Sequence, residues 1–285
     1  MWRQAGEDDN AGQQPVDALA EPDRWYTTNL TGVPASIIGS TAFNERPCDL
    51  AIHGTREAHA SLFRMLDASS TQTEAAQVFA RYMDIVFGLQ RGERGTTDGP
   101  HRFRASYLKL LQGWGFDSNG PQGAVIKGWA ESRFGLVPRY HKAPLGRFPS
   151  PAWTDYVMEK MGSRFHNNCI NMQLDALYEY CQWSIRRFAL VGPQSVRLWR
   201  GTNHCDEQIV SGSLRERACV MRLNNVVSFS LSSERAEEFG DWTLEAQVPT
   251  CKLLFFPGLL TDRVLNSEGE ALVLGGLYHV KVGYG

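Results

Sequence analysis

No apolar run in this chain approaches the ~18 residues that a membrane-crossing helix needs, so the sequence offers no spanning segment. The N-terminus, MWRQAGEDDNAGQQPVDALAEPDR, lacks the basic and then apolar stretches of a secretory signal. Residues 1–24 are expected to form a flexible polar leader. A surplus of charge is missing too: the formal net charge is −2 and the isoelectric point is near 6.4. That balance gives no reason to expect a nucleic-acid partner or a membrane surface. The six cysteines, Cys48, Cys169, Cys181, Cys205, Cys219 and Cys251, form no CxxC. A chain of this length needs no disulfide staples, so reduced thiols in a cytoplasmic protein are expected. The seven histidines show no HxxxH or HxH spacing, and no metal site is expected. His53, His101 and His204 read as surface or hydrogen-bonded residues.

What is present is ordinary globular material. The 285 residues are 42% hydrophobic and 21% charged, enough for one large or two modest domains. The texture changes near residue 192. Residues 25–55 hold short apolar runs split by Gly and Pro, read as loops with at most a short strand. Helical periodicity follows, with Leu62, Phe63, Met65 and Leu66, then Val78, Phe79, Tyr82, Ile85, Val86 and Leu89. Residues 91–101 are a polar loop. Tyr107 to Leu111 opens another helix, and Val125 to Phe134 a further one. Pro138 to Pro151 is a basic connector carrying Arg139, His141, Lys142 and Arg147, either a solvated loop or a docking surface for an acidic protein. Trp153 to Leu190 is helical, with Leu174, Leu177, Tyr178, Cys181 and Ile185 as one core stripe.

From Pro193 the pattern is that of strands. Val196 to Gly201, Val226 to Ser230, Trp242 to Val248, Lys252 to Phe256, Ala271 to Leu274 and Leu277 to Val282 are the candidates. Among them only Ser233 to Phe239 reads as a helix, with Ser232 or Ser233 as its N-cap. The expected class is α+β: a mainly helical portion, 25–191, packed in one unit with a β-rich portion, 192–285. Short strands with little helix between them point to two mainly antiparallel sheets packed face to face.

Three stretches of the β-rich portion could carry chemistry. Leu198-Trp199-Arg200-Gly201 places an arginine at a strand end; its planar fork suits a diphosphate, and the glycine allows close backbone approach. Ser228-Phe229-Ser230-Leu231 follows, with Ala236 and Phe239 beyond it. The third is Glu268-Gly269-Glu270 running into Ala271-Leu272-Val273-Leu274. In an extended chain residues i and i+2 share a side, so both glutamates should face one cleft. Singly, each has a plainer reading: an ordinary strand end, solvent-facing hydroxyls, a charged strand edge.

Together, in this order, they resemble the Arg-Ser-Glu mono-ADP-ribosyltransferases, and within them the Glu-x-Glu branch that modifies arginine. The motif-level resemblance covers residues 196–282. It implies a mono-ADP-ribosyltransferase core with NAD as substrate. It implies that Arg200 holds the NAD phosphates, that Gly201 lies against the nicotinamide amide, and that Ser228 supports the catalytic glutamate and the nicotinamide ribose. Ser230 is then the second serine of that element, Glu270 the catalytic glutamate and Glu268 the residue that handles the incoming guanidinium. Two features depart from the pattern. Phe229 stands where a small or hydroxyl residue is common, and 258–267 offers Leu259, Leu260 and Arg263 where an aromatic is often found. Over its whole length, helical portion and WYTTNLTGVP segment included, the chain resembles the branch that regulates nitrogenase. That implies the iron protein of nitrogenase, dinitrogenase reductase, as protein substrate, and control through a small PII-type signalling protein. Two other readings of the residues stand beside it: an NAD glycohydrolase, with water as acceptor, and a non-enzymatic module whose helical portion binds a partner.

Overall fold

The structure is a computed structural model that describes residues 29–89, 104–189, 194–203, 205–261 and 269–284. The expected leader and the polar tract at 91–101 lie outside the described residues. In the helical portion the elements are α1 (Ala35–Ile38), α2 (Thr41–Glu45), α3 (Thr55–Ala58), α4 (Ala60–Asp67), α5 (Gln72–Phe87), α6 (Tyr107–Phe116) and α7 (Pro121–Phe134). A two-stranded hairpin, β1 (Tyr140–His141) and β2 (Ala143–Pro144), follows, then α8 (Pro151–Lys160) and α9 (Ile170–Ser184). The strands are β3 (Ser195–Thr202), β4 (Ile209–Ser213), β5 (Ala218–Ser230), β6 (Trp242–Pro249), β7 (Leu253–Phe255) and β8 (Glu270–Tyr284), with α10 (Ser233–Glu237) between β5 and β6.

Local chemistry accounts for most boundaries. Ser106 caps α6 by accepting from Lys109 N, and Ser150 caps α8 ahead of Pro151, whose missing N–H is harmless in a first turn. Gly135 ends α7 in the left-handed region at φ 71°. The expectation of loops and a strand over 25–55 is corrected for its described part. Ser40 accepts from Phe43 N and starts α2, while Pro34 sits at the N-cap of α1, so the chain coils there. The continuous helix expected from Trp153 to Leu190 is two helices, α8 and α9, and the chain at Asn168 and Cys169 turns through positive φ between them.

All ladders are antiparallel, and six strands form one hydrogen-bonded sheet in the order β4-β5-β3-β6-β8-β7, with β5 also paired to β8. The α+β class is therefore as expected, but the ladders join all six strands where two separate sheets were expected. The reason lies in β5 and β8, which pair along most of their length and bend together. Their register shifts between Leu223 and Val226. Opposite that bulge sit Gly275, where a Cβ would lie 1.6 Å from Asn224 O, and Gly276, at φ +115°. Only glycine fits both places. The bulge residues also fasten neighbours: Asn225 Nδ2 donates to Lys127 O and Leu136 O at 2.8 and 2.9 Å, and Asn224 exchanges bonds with Arg139 N and Tyr140 O.

Helix α9 is buried on nearly every side rather than along one stripe. Its polar side chains satisfy carbonyls at the start of β7 and in the turn before it: Gln182 donates to Thr250 O and Leu253 O, and Tyr178 OH to Cys251 O at 2.8 Å. Its two acids face the other helices. Asp175 takes a two-pronged bond from Arg133 at 2.8 and 2.9 Å, and Glu179 holds Arg56 Nε and Ile52 N, each at 2.7 Å. One continuous cluster of buried apolar side chains joins Leu62, Phe79 and Tyr180 of the helices to Leu198, Phe229 and Leu272 of the strands.

Lys252 is the exception to this pairing. Its side chain is fully buried, and Nζ has no hydrogen-bond partner among the described residues. The ammonium lies 4.8 Å from the Tyr278 ring centre and 5.3 Å from that of Phe43. Burial pulls its pKa down to about 7, against a small opposing pull from Cys251. Since the folded value lies below the unfolded one, the unfolded chain binds the extra proton between them, and stability rises with pH across that window. Chemical denaturation should show Lys252→Met stabilised at pH 7, with a parent-minus-variant difference that shrinks by on the order of 2 kcal/mol towards pH 9. A difference constant with pH would show the lysine to be solvated.

Candidate active site

The end of β5, the start of β8 and the end of β3 meet at one cavity. In the β5–β8 register Ser230 lies opposite Glu270, and Ser228 opposite Leu272. Ser228 and Glu270 are thus diagonal neighbours on one face, close enough for short side chains to meet. They do meet: Ser228 Oγ donates to Glu270 Oε1. Strand β3 comes alongside through Trp199, opposite Ser230, and Arg200 Nη1 donates to Ser228 O at 2.8 Å. The cavity is about 380 Å³, and Trp114, Phe116, Asp117, Arg200, Ser228 and Glu270 are among its lining residues. That size is in the range of small-molecule and cofactor sites.

Five of the six residues singled out in the sequence gather here. Glu270 is buried, at 9% exposure, and Ser228 and Arg200 are partly buried. Burial pulls the Arg200 pKa down, and the Glu270 carboxylate pulls it back up. From an ordinary value above ~12 the guanidinium stays charged. Ser230 lines the cavity, but its hydroxyl accepts from Ser232 N at 3.1 Å and so shapes the turn into α10. Ser232 is the N-cap of that helix, as expected. Gly201 also lines the cavity, and it has a structural reason to be glycine: a Cβ there would stand 1.8 Å from Ala236 O and 3.1 Å from Phe239 Cβ. Its absence lets α10 lie directly on β3. Glu268, the sixth, lies outside the described residues. No cluster of three metal-ligating side chains occurs among the described residues, nor is any described helix long and apolar enough to cross a membrane.

The contribution from the helical portion is not foreseen from any motif. Trp114, near the end of α6, donates its indole N–H to Ser228 Oγ at 2.9 Å and to Glu270 Oε1 at 3.2 Å. Phe116, Asp117 and Ser118 continue the cavity wall. Behind them Lys127 of α7 is buried, with Nζ at 3.0 Å from Asn119 Oδ1, 3.1 Å from Tyr140 O and 3.4 Å from His141 Nδ1. Burial lowers its pKa to about 8, with Asp117 and Glu159 opposing. An ammonium facing Nδ1 makes that nitrogen the acceptor, which puts the ring proton on Nε2, 2.7 Å from Glu159 Oε2. Burial also lowers the His141 pKa, partly offset by Glu159. His141 is thus drawn into the interior instead of lying on the basic connector's surface, where Arg139, Lys142 and Arg147 remain exposed. A tryptophan between two glycines at a helix end reads as packing, and no local pattern links residue 114 to residue 270.

Chemically, the cavity offers a cation able to grip a phosphate and, within the same space, an oriented carboxylate able to stabilise a developing positive charge. A family model described as dinitrogenase reductase ADP-ribosyltransferase matches residues 28–282. The chain is also 45% identical over 267 residues to the NAD(+)--dinitrogen-reductase ADP-D-ribosyltransferase of Rhodospirillum rubrum, covering 92% of this chain and 97% of that protein. No solved structure matches.

The tight seat of α10 on β3 can be tested without any substrate. Gly201→Ala should cost about 1–3 kcal/mol, as overpacking does, read as a lower melting temperature. An unchanged melting temperature would mean that α10 does not press on the strand.

Proposed function

The chain belongs to the dinitrogenase reductase ADP-ribosyltransferase family, and from that membership and the chemistry of the cavity we propose that it transfers ADP-ribose from NAD to an arginine of dinitrogenase reductase, the iron protein of nitrogenase, reversibly inactivating it. The observation that carries the reading is the meeting of Arg200, Ser228 and Glu270 at one cavity. We read the bent sheet as a mono-ADP-ribosyltransferase-like core whose two layers are folded from one ladder network. Residues 192–285 are its NAD-binding part, 25–191 the helical part of the same unit, and the cytoplasm its place of work. Control through a PII-type protein rests on the family resemblance alone.

The chemistry assigns each residue a task. The bond from the ribose anomeric carbon to the nicotinamide nitrogen breaks, and nicotinamide leaves neutral, so no general acid is needed. The sugar passes through an oxocarbenium-like transition state. Glu270 stabilises positive charge that exists only there, which raises the rate rather than ground-state affinity. Arg200 holds the diphosphate, and Ser228 keeps the glutamate in place. The acceptor arginine is protonated, with a pKa above ~12, so a second carboxylate must orient it and take its proton as the new carbon–nitrogen bond forms. By resemblance that carboxylate is Glu268. Specificity for one folded protein must come from outside this small site. The exposed Arg139, Lys142 and Arg147, beside the exposed Phe148, Met158 and Met161, are the docking surface we assign.

Labelled NAD incubated with dinitrogenase reductase, an unrelated arginine-rich protein and a small guanidine should label dinitrogenase reductase, and Glu270→Gln should abolish both labelling and NAD cleavage while keeping NAD affinity. Free ADP-ribose as the sole product would instead make the chain a glycohydrolase, and no turnover at all a binding module. A variant turning over at the parent rate would remove Glu270 from the chemistry.

Glu268→Gln separates the half-reactions. Cleavage of NAD by water should survive, while transfer to arginine falls steeply. Equal loss of both activities would place Glu268 on NAD and not on the acceptor.

A further inference from the structure

Trp114 belongs to the helical portion, 114 residues before Ser228 and 156 before Glu270, yet its N–H points at both. The indole nitrogen is a donor only. It is almost fully buried, so an unmet N–H would be costly, and its two acceptors are the hydroxyl and the carboxylate at the reacting end of the cavity. The helix end is fixed around it. A Cβ at Gly113 would stand 2.5 Å from the Gln122 side chain, and Asp117 N closes the last turn on Gly113 O at 2.9 Å. The helix end that carries the ring is therefore packed against α7, apart from the strands that the ring serves.

We propose that Trp114 is a positioning residue for Glu270: its indole N–H, shared between Ser228 Oγ and Glu270 Oε1, keeps the carboxylate charged and aimed into the cavity. Two donors, one hydroxyl and one indole, then converge on Oε1. A hydrogen bond to the charged form of a carboxylate favours that form, which matters for a glutamate buried this deeply. The serine alone can rotate with its own side chain. The indole, anchored in another element, removes that freedom for serine and glutamate together. The consequence for the reaction is that the helical portion completes the site as well as offering a surface to the partner.

The inference rests on Glu270 being the catalytic carboxylate, and the test keeps the two apart. Trp114→Phe keeps a ring and removes the donor. For cleavage of NAD by water, kcat should fall about 10- to 100-fold, the loss expected of a hydrogen bond to a charged group. KM for NAD should stay within about twofold, because the interaction concerns the transition state. The acid limb of the kcat profile should also move to higher pH. Among the described residues the other charged groups around the carboxylate are Arg200 on β3, Arg235 on α10 beside Gly269, Asp117 after α6, and Lys127 on α7, with Nζ 5.9 Å from the indole ring centre; Glu268, by resemblance, joins them. All remain in the variant, so a moved limb reports the lost donor. A kcat within about twofold of the parent, or a fall with the acid limb in place, overturns the proposal. If the smaller phenyl ring lowers the melting temperature, replacing Trp114 with benzothienylalanine keeps the shape, puts sulfur where the N–H was, and decides by the same two readings. An active Glu270→Gln would instead overturn the reading beneath.

Discussion

The register between β5 and β8 is the constraint on which the site depends. Side chains alternate faces along a strand, so a slip of one residue would turn Glu270 away from Ser228 and exchange the two packed faces of β8, each fitted to different neighbours. Burial on both sides therefore locks the register. Val226, Phe229, Ala271, Leu272 and Leu274 are all almost completely buried, and none can be moved to the surface without loss. The bulge at Leu223–Val226 and the glycine pair opposite it bend both strands together. Without the bend the ladder would run straight; with it, the end of β5 reaches β3 at Trp199 and brings Arg200 over Ser228.

The helical portion is joined to this sheet by polar contacts as much as by apolar ones. A short edge strand such as β7 and its flanking turns expose carbonyls that need partners; α9 supplies Cys181 and Gln182 to Leu253 O, Tyr178 and Gln182 to the turn before the strand, and Tyr180 to Leu259 O after it. Those groups explain why α9 tolerates burial all round: its buried polar side chains find partners in backbone carbonyls, in the arginines of other helices, or, for Ser184, in Gln72. The same packing sets α6 across the mouth of β5. Trp114 thereby reaches two residues that neighbour each other only because of a ladder elsewhere in the chain.

Strands and helices were legible where burial imposed a period. The helices of 60–134 and the strands at Arg200, Ser228 and Trp242 lie where their patterns put them, because each buries one repeating set of side chains. The period hides what is buried throughout. The apolar stripe read in α9 is buried as expected, but it does not show that Gln173, Asp175, Glu179 and Gln182 are interior too, and the first half of β5, from Ala218, reads as unpatterned because Arg222, Asn224 and Asn225 interrupt it. The single sheet was illegible for a related reason. A bend made by Gly275–Gly276 against Asn224–Asn225 looks in sequence like the end of one strand and the start of another. In the site, the three short motifs could be placed because each sits on one strand end. Trp114, Asn119 and Lys127 could not, because their partners are fixed by tertiary packing alone. His141 likewise counts as a surface charge until Glu159 and Lys127 are seen on either side of it.

The way the site treats charge follows from these placements. Two neutral donors, a hydroxyl and an indole, orient Glu270, while Arg200, which feels the carboxylate's charge, gives a hydrogen bond to a backbone carbonyl. Neutral donors orient an ion without cancelling its charge. On the reading of the cavity as an ADP-ribosyl transfer site, that orientation is what the reaction requires, since the positive charge on the sugar appears only at the transition state and must meet a carboxylate already aimed at it. In such a site the reach of an indole from a distant helix adds orientation without adding a further charge beside the carboxylate.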